Sequence, residues 1–560
     1  MEKELDTKEF ESEEEKALFI GAMFRAMDGK ECIVAADPDC SRVVEKMLRS
    51  ADDFRVRVFT DRLNGQFIEL FKHQFASHVC QTLIYAAADV VDREIKGTFV
   101  VEAPEGDEAA LETLPTMTTL VEQLCEQMKG EWKDLMMDAY ASHLVRAVLC
   151  LLSGDPLAQG EAERRSKKSK KYNSEHNNTW KPNPANAPKT GRAGVSVKRT
   201  VPPQFKEALK EITREVAEQM EIMGLRTYAT HIVANPVLQL LISLSDTSES
   251  LISTLLAVED SATCQLSTQT DEERQFMVDL IRHPVGSHLV EKLLAAASAH
   301  LFHQLYVTYF RGQLEELCLH PVANFVVQQL ICHTRNGTQL EVLLDELIPF
   351  FPTLFTHRRP GVVVKVAEAC VKHQTGKCQK EVVKAVANAL KATAPEQRKQ
   401  LVNLILCLKP YGALGEAAKA DTNGSLILQN LLLFDEDANK MVIDSFMSLT
   451  PEESRNWAFS PTSSRVLEQF LLSSTINLKA KRKLIRSWLG KFATLAADKF
   501  GSHTVDKAWA VADIGLKEKI AEDLYNHTKT LQNSHFGKFV LRNCKIETYG
   551  KRREEWVERQ

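Results

Sequence analysis

With 560 residues, 44% of them hydrophobic, and a net charge of −5, the chain can bury an extensive core but has no overall basic character. Any nucleic-acid reading must therefore rest on local pattern rather than on total charge. Twelve cysteines without a CxxC pair argue against zinc or disulfide frameworks and for reduced thiols in an intracellular protein, and no apolar run approaches the roughly 18 residues of a membrane span.

In chain order, residues 1–15 read as an acidic tail without the apolar stretch of a secretory signal. Residues 16–159 carry three copies of a nine-residue pattern: CSRVVEKML at Cys40, ASHVCQTLI at Ala76 and ASHLVRAVL at Ala141. Between the last two, Gly97 to Pro115 is acidic and proline-containing and reads as a loop. Residues 160–203 are a composition break. Arg164 to Thr200 holds eleven Lys or Arg against the single acid Glu175, with Asn, Pro and Gly throughout, which predicts a basic disordered insertion. Its cluster of Arg164, Arg165, Lys167, Lys168, Lys170 and Lys171 suits a nuclear import signal or a phosphate-binding tether, beside the plainer reading of a solvated loop.

From 204 to 548 the pattern recurs eight times: ANPVLQLLI at Ala234, GSHLVEKLL at Gly286, ANFVVQQLI at Ala323, PGVVVKVAE at Pro360, GSLILQNLL at Gly424, SSRVLEQFL at Ser463, GSHTVDKAW at Gly501 and GKFVLRNCK at Gly537. Residues 549–560 read as a charged tail. Six of the ten intervals between copies lie between 36 and 39 residues, and the others are 65, 93, 52 and 64. A fixed period of this size predicts stacked supersecondary units, each unable to bury its apolar face alone. The span behind the 64-residue interval keeps a helical pattern, consistent with a degenerate extra repeat or with longer helices. Within a copy the apolar spacing is helical, as in Leu289, Val290, Leu293 and Leu294. His283-Pro284 and His320-Pro321 disfavour helix just upstream, so each copy opens a new helix. No βαβ rhythm appears, and the fold class that follows is an all-α solenoid.

Inside the pattern the second, third and sixth residues tend to be polar or aromatic while their neighbours are apolar. The triplets are Ser41/Arg42/Glu45, Ser77/His78/Gln81, Ser142/His143/Arg146, Ser287/His288/Glu291, Asn324/Phe325/Gln328, Ser464/Arg465/Glu468 and Ser502/His503/Asp506. Asn235 with Gln239 and Ser425 with Gln429 keep the polar pair, but Pro236 and Leu426 hold the third position. Residues four apart share a helical face, so the second and sixth side chains can address one partner, with the third beside them. Short polar, planar, then long polar is suited to gripping a nucleobase, two groups on its edge and one stacked on its face. Gly361, Val362 and Lys365 depart from this, as does Lys538/Phe539/Arg542; Lys365, Lys538 and Arg542 suit phosphate.

Other chemistries fit less well. The recurring Ser-His neighbours point about 100° apart on a helix, and a catalytic pair would not recur four times, so no enzyme is read here. Cys370, His373 and Cys378 lack a fourth ligand at metal spacing, and no cofactor is implied. His283 and His320, before prolines in turns, are read as structural.

The copies GSHLVEKLL, ANFVVQQLI and SSRVLEQFL resemble the RNA-facing helix of Pumilio (PUF) repeats, and the likeness recurs over nearly the whole chain. About eleven units with long insertions, one of them basic, are most similar to the nucleolar protein 9 family. That resemblance implies a right-handed superhelical solenoid, curved or U-shaped, and a monomer of the nucleolus or nucleus with no membrane attachment. It implies binding to pre-rRNA near the small-subunit rRNA 3′ region, within the small-subunit precursor particle, restraining premature cleavage. By the PUF code, the units at 324, 287 and 235 would read U, G and U, and the outer repeats would grip bases more regularly than the middle ones. The competing readings are a PUF regulator of mRNA 3′ untranslated regions and a HEAT- or armadillo-like protein scaffold.

Overall fold

A computed structural model describes residues 13–98, 114–156, 198–219, 222–244, 248–258, 266–415 and 418–559. Helices carry the fold, with no strand among the described residues. Nearly all of the basic insertion, including its Lys/Arg cluster, lies outside the described residues, as does most of Gly97 to Pro115.

All eleven copies of the pattern open a helix. They are α1 (Cys40–Leu48), α2 (Ala76–Lys96), α3 (Ala141–Ser153), α4 (Asn235–Ser243), α5 (Gly286–Ala296), α6 (Ala323–Cys332), α7 (Pro360–His373), α8 (Thr422–Leu431), α9 (Ser464–Leu472), α10 (Gly501–Val511) and α11 (Gly537–Asn543). The chain forms two compact units, residues 1–304 and 305–560. In the first, α1 packs on α2, α2 on α3, α3 on α4 and α4 on α5. In the second, the same ladder runs from α6 through α11.

Repeat 6 shows why these residues build this unit. In α6, Val326, Val327, Leu330 and Ile331 are fully buried, forming one apolar face. The second helix, Gly337–Leu347, starts where the Asn336 side chain accepts the Gln339 N–H at 2.9 Å. It buries Leu340, Leu343, Leu344 and Leu347. A short third helix, Phe351–Thr356, leads into α7. The first residue of each copy is usually Gly or Ala, and at Gly424 and Gly501 the motif helix starts so close to earlier backbone that no Cβ fits. A Cβ at Gly424 would lie 2.3 Å from the Ile405 carbonyl oxygen, and one at Gly501 would lie 2.5 Å from that of Leu495.

The long intervals do not interrupt the ladder. The 64-residue interval holds no twelfth copy: α7 packs directly on α8 with the usual second helix (Gly376–Ala389) and short pre-motif helix (Leu401–Cys407) between them, and the extra length lies in a longer second helix, the added turn Pro395–Arg398 and the connection before α8. Two terminal expectations need correction. A helix, Glu13–Met27, begins inside the stretch read as an acidic tail. The stretch read as a charged tail folds as helices Ile546–Lys551 and Arg553–Glu558. Charge marks only their outer faces; Trp556 is fully buried, and its indole N–H donates to the Cys544 carbonyl at 3.0 Å. The Trp556 ring packs edge-on against Tyr549 and Trp509, closing the apolar end of the array.

Candidate nucleic-acid interface

The motif helices begin with a shared device. Three residues before ten of the eleven copies, a side-chain acceptor takes N–H groups of the turn. Asp37, Asp138 and Asp498 do so with Oδ1, as for Tyr140 and Ala141, both at 2.8 Å from Asp138. His73, His231, His283 and His320 use Nδ1; for His320 the donors are Val322 and Ala323, both at 3.1 Å. Asp421, Ser460 and Ser534 serve α8, α9 and α11. His283 and His320 thus act as the structural residues expected. The other members went unread in the sequence, although their constant offset from each copy was a usable signal. Repeat 7 lacks the device: His357 Nδ1 lies instead 3.0 Å from the Thr353 carbonyl oxygen.

With each helix start fixed, the three positions separate by exposure. The third is the outward one: Arg42, His78, His288, Phe325, Arg465, His503 and Phe539 are exposed, Phe325 by 54%. The sixth is partly covered in Glu45, Gln81, Arg146, Gln239, Glu291, Gln328, Lys365, Gln429, Glu468 and Asp506, whereas Arg542 is exposed. The second position corrects the expectation that it shares the open face. Ser41, Ser77, Ser142, Asn235, Ser287, Asn324, Ser425, Ser464 and Ser502 are all buried, and only Lys538 is exposed there.

The burial has a physical reason. At the first turn of a packed helix, a short polar side chain can reach backbone carbonyls that the helix leaves nearby. Ser77 and Ser502 donate to the carbonyls of Gln74 and Lys499 at 3.3 and 3.1 Å. Asn235 donates to Ala229 at 2.6 Å, and Ser425 to Thr462 of the following repeat at 2.7 Å. Several of these residues then hold the sixth. Gln239 Nε2 donates to Asn235 Oδ1 at 2.5 Å, Gln328 Nε2 to Asn324 Oδ1 at 3.1 Å, and Gln429 Nε2 to Ser425 Oγ at 3.0 Å. The pair four apart is real, but its short member orients the long one from beneath.

Several of the remaining sixth residues have partners of their own. Gln81 donates to the Tyr85 hydroxyl at 3.0 Å, Glu45 pairs with Arg49 at 3.0 Å, and Glu291 Oε1 lies 3.3 Å from His288 Nδ1. Burial raises the Glu468 carboxyl above its ordinary range. Lys365 pairs with Glu368 at 2.7 Å.

The third-position side chains differ in kind. On α2 and α3, the His78 and His143 rings have centroids 6.0 Å apart at 33°. His143 is half-buried, and burial pushes its imidazole down to about 4, so it is neutral at pH 7. Phe539 carries two cations near its ring, Lys538 at 5.4 Å and Arg542 at 5.3 Å from the centroid. Val362 is fully buried, so repeat 7 presents no third-position surface. Pro236 is half-buried and Leu426 partly exposed, neither with a ring to stack.

Among the described residues, no group of three His, Cys, Asp or Glu is arranged to hold a metal, and no helix is long and apolar enough to cross a membrane. At α1, α2, α5 and α6 a planar third residue stands beside a hydrogen-bonding sixth residue held by a partner, an arrangement suited to flat, polar-edged ligands, and Pro236, Val362 and Leu426 break it at α4, α7 and α8.

Comparison with known proteins agrees with this geometry. The chain is similar to Nucleolar protein 9 of Aspergillus fumigatus, 28% identical over 577 residues, covering 99% of this chain and 80% of that one. It is similarly related to Nucleolar protein 9 of Pyrenophora tritici-repentis, at 29% identity with 99% and 78% covered. Among solved structures, APUM23 with GGAAUUGACGG superposes with a TM-score of 0.75 at 22% identity, covering 99% of this chain and 96% of that one; the likeness is one of fold. The NOP9-like PUF repeat domain model matches residues 29–539, and the chain belongs to that family.

Proposed function

We propose that this chain is a non-catalytic RNA-binding protein of the nucleolus that acts in small-subunit ribosome biogenesis. The observation that carries the reading is the repeated pairing of an exposed third residue with an oriented sixth residue along stacked helices. In this reading Arg42, His78, His143, His288, Phe325, Arg465, His503 and Phe539 stack on bases. Glu45, Gln81, Arg146, Gln239, Glu291, Gln328, Gln429, Glu468 and Asp506 meet base edges, while Lys365, Lys538 and Arg542 meet phosphate. The buried Asn235, Asn324 and Ser425 set the geometry of the sixth residue in their repeats. Nucleolar residence is supported by the relatives named Nucleolar protein 9.

The finer proposal is that a monomer covers a pre-rRNA site near the small-subunit rRNA 3′ region in the precursor particle and so restrains premature cleavage. Covering needs affinity and no chemistry, in keeping with a surface whose repeated groups are hydrogen-bonding and stacking ones.

The test is crosslinking and sequencing of RNA bound in cells, beside binding measured with the purified full chain. Reads piled at one pre-rRNA site near that 3′ end support the proposal; reads spread over mRNA 3′ ends replace it with an mRNA regulator. Replacing His288 and Glu291 together by Ala should weaken RNA binding about tenfold or more without moving the thermal midpoint. Affinity should fall as salt rises. A folded double variant with unchanged affinity, or an absence of salt-sensitive RNA binding, would leave a protein-binding scaffold as the better account.

A further inference from the structure

The Gln328 amide in α6 is oriented by a short chain of hydrogen bonds. Asn324 Nδ2 donates to the carbonyls of His320 at 2.8 Å and Pro321 at 2.9 Å, and its Oδ1 accepts from Gln328 Nε2 at 3.1 Å. A primary amide has two N–H donors and one carbonyl acceptor, so Gln328 keeps its oxygen and its second N–H for the edge of a planar ligand.

The other flank of that amide is set by the following repeat. A Cβ at Gly361 would lie 3.0 Å from Gln328 Nε2, 3.1 Å from Oε1 and 3.2 Å from Cδ. The three amide atoms are nearly equidistant from that point and closer than an ordinary Cβ contact, so a methyl group at 361 would push the amide by a few tenths of an ångström. Backbone strain does not explain the glycine: Gly361 lies within helix α7 and is not among the residues with positive φ. Every other copy has a side chain at this second position. Gly361 therefore leaves room for its neighbour while adding nothing of its own, and Val362 beside it is withdrawn into the core.

We propose that Gly361 is a positioning residue for base recognition one repeat away: its missing Cβ lets the Gln328 amide hold the orientation in which it meets a base edge. The proposal rests on the reading that repeat 6 contacts a base. Selectivity at that nucleotide then depends on two adjacent repeats, and substitution at either should relax it. Gly361→Ala removes no hydrogen bond and suits a helix better than glycine, so its effect on binding is separable from folding.

The experiment is selection from a random pool of single-stranded RNA by the full-length protein, its Gln328→Ala and Gly361→Ala variants, and the double variant. Gln328→Ala identifies the nucleotide that repeat 6 reads, by loss of preference at one position. Gly361→Ala should lower discrimination at that same nucleotide by roughly tenfold, leave the other positions unchanged and not lower the thermal midpoint. The double variant should match Gln328→Ala alone, because Gly361 acts through Gln328. Wild-type preference retained in Gly361→Ala, with Gln328→Ala sensitive, would overturn the proposal alone. Insensitivity of both variants would overturn it together with the reading of repeat 6.

Discussion

Repeats 6 and 7 are adjacent, share a fold and differ in what they show to solvent. In α6, Val326, Val327, Leu330 and Ile331 are buried while Phe325 stands out with 54% of its surface exposed. In α7, Val363, Val364, Val366 and Ala367 are buried, but Val362 in the equivalent outward position is buried too. The turn before α6 is held by His320, whereas the turn before α7 has no such acceptor and carries Arg358 and Arg359 ahead of Pro360. The ladder tolerates this because its packing comes from the apolar face and the helix start; the exposed third side chain of α6 adds little to it, and Val362 in α7 joins the core instead. Scaffold and surface are thus specified by different residues of the same nine.

That separation can be broken from either side. The largest effect should come from the scaffold side: Leu330→Ala, which opens a cavity in the α6 core, should cost about 2–5 kcal/mol in chemical unfolding. From the surface side, Phe325→Ala should leave unfolding nearly unchanged and weaken RNA binding by about 1–3 kcal/mol. Val362→Ala should invert that pattern, affecting stability and sparing RNA affinity. If Phe325→Ala and Val362→Ala behave alike, the distinction between the two repeats is wrong. A smaller change is expected for Lys365→Ala: affinity should fall for all sequences alike, and the slope of log K against log salt should flatten by about 1.

The smallest effect concerns a milder version of the same contrast, the exposed His78 against the half-buried His143. Burial holds His143 below the ordinary histidine value, at about 4. Between that value and about 6.5 the unfolded chain takes up a proton that the folded chain refuses, so stability is full above the window and falls as pH drops through it. His143→Gln should flatten this part of the stability–pH curve, and an unchanged curve would remove His143 from the account.

Much of the fold was readable because burial is periodic. Leu289, Val290, Leu293 and Leu294 recur with helical spacing, and all four are buried. The exposed third position was readable for the same reason, since His288, Phe325 and Arg465 interrupt apolar runs. The burial of Ser287 and Asn324 was not, because a short polar residue satisfied by backbone carbonyls has the same sequence signature as one facing solvent. Gly361 was legible only as a departure; its meaning depends on Gln328, 33 positions upstream, and on the packing of one helix against the next. The terminal helices were hidden by charge, since Trp556 and Val557 stand among Lys, Arg and Glu.

The direct packing of α3 on α4 joins residues whose patterns stand 93 positions apart, against 36 for the shortest neighbours in the second unit. Loop-closure entropy grows only with the logarithm of chain length, so the longer span adds under about 1 kcal/mol to the cost of that rung. The ladder is therefore nearly indifferent to how much polypeptide is threaded between its rungs. Insertions can grow, shrink or gain signals of their own while the spacing of the groups offered to a ligand stays fixed.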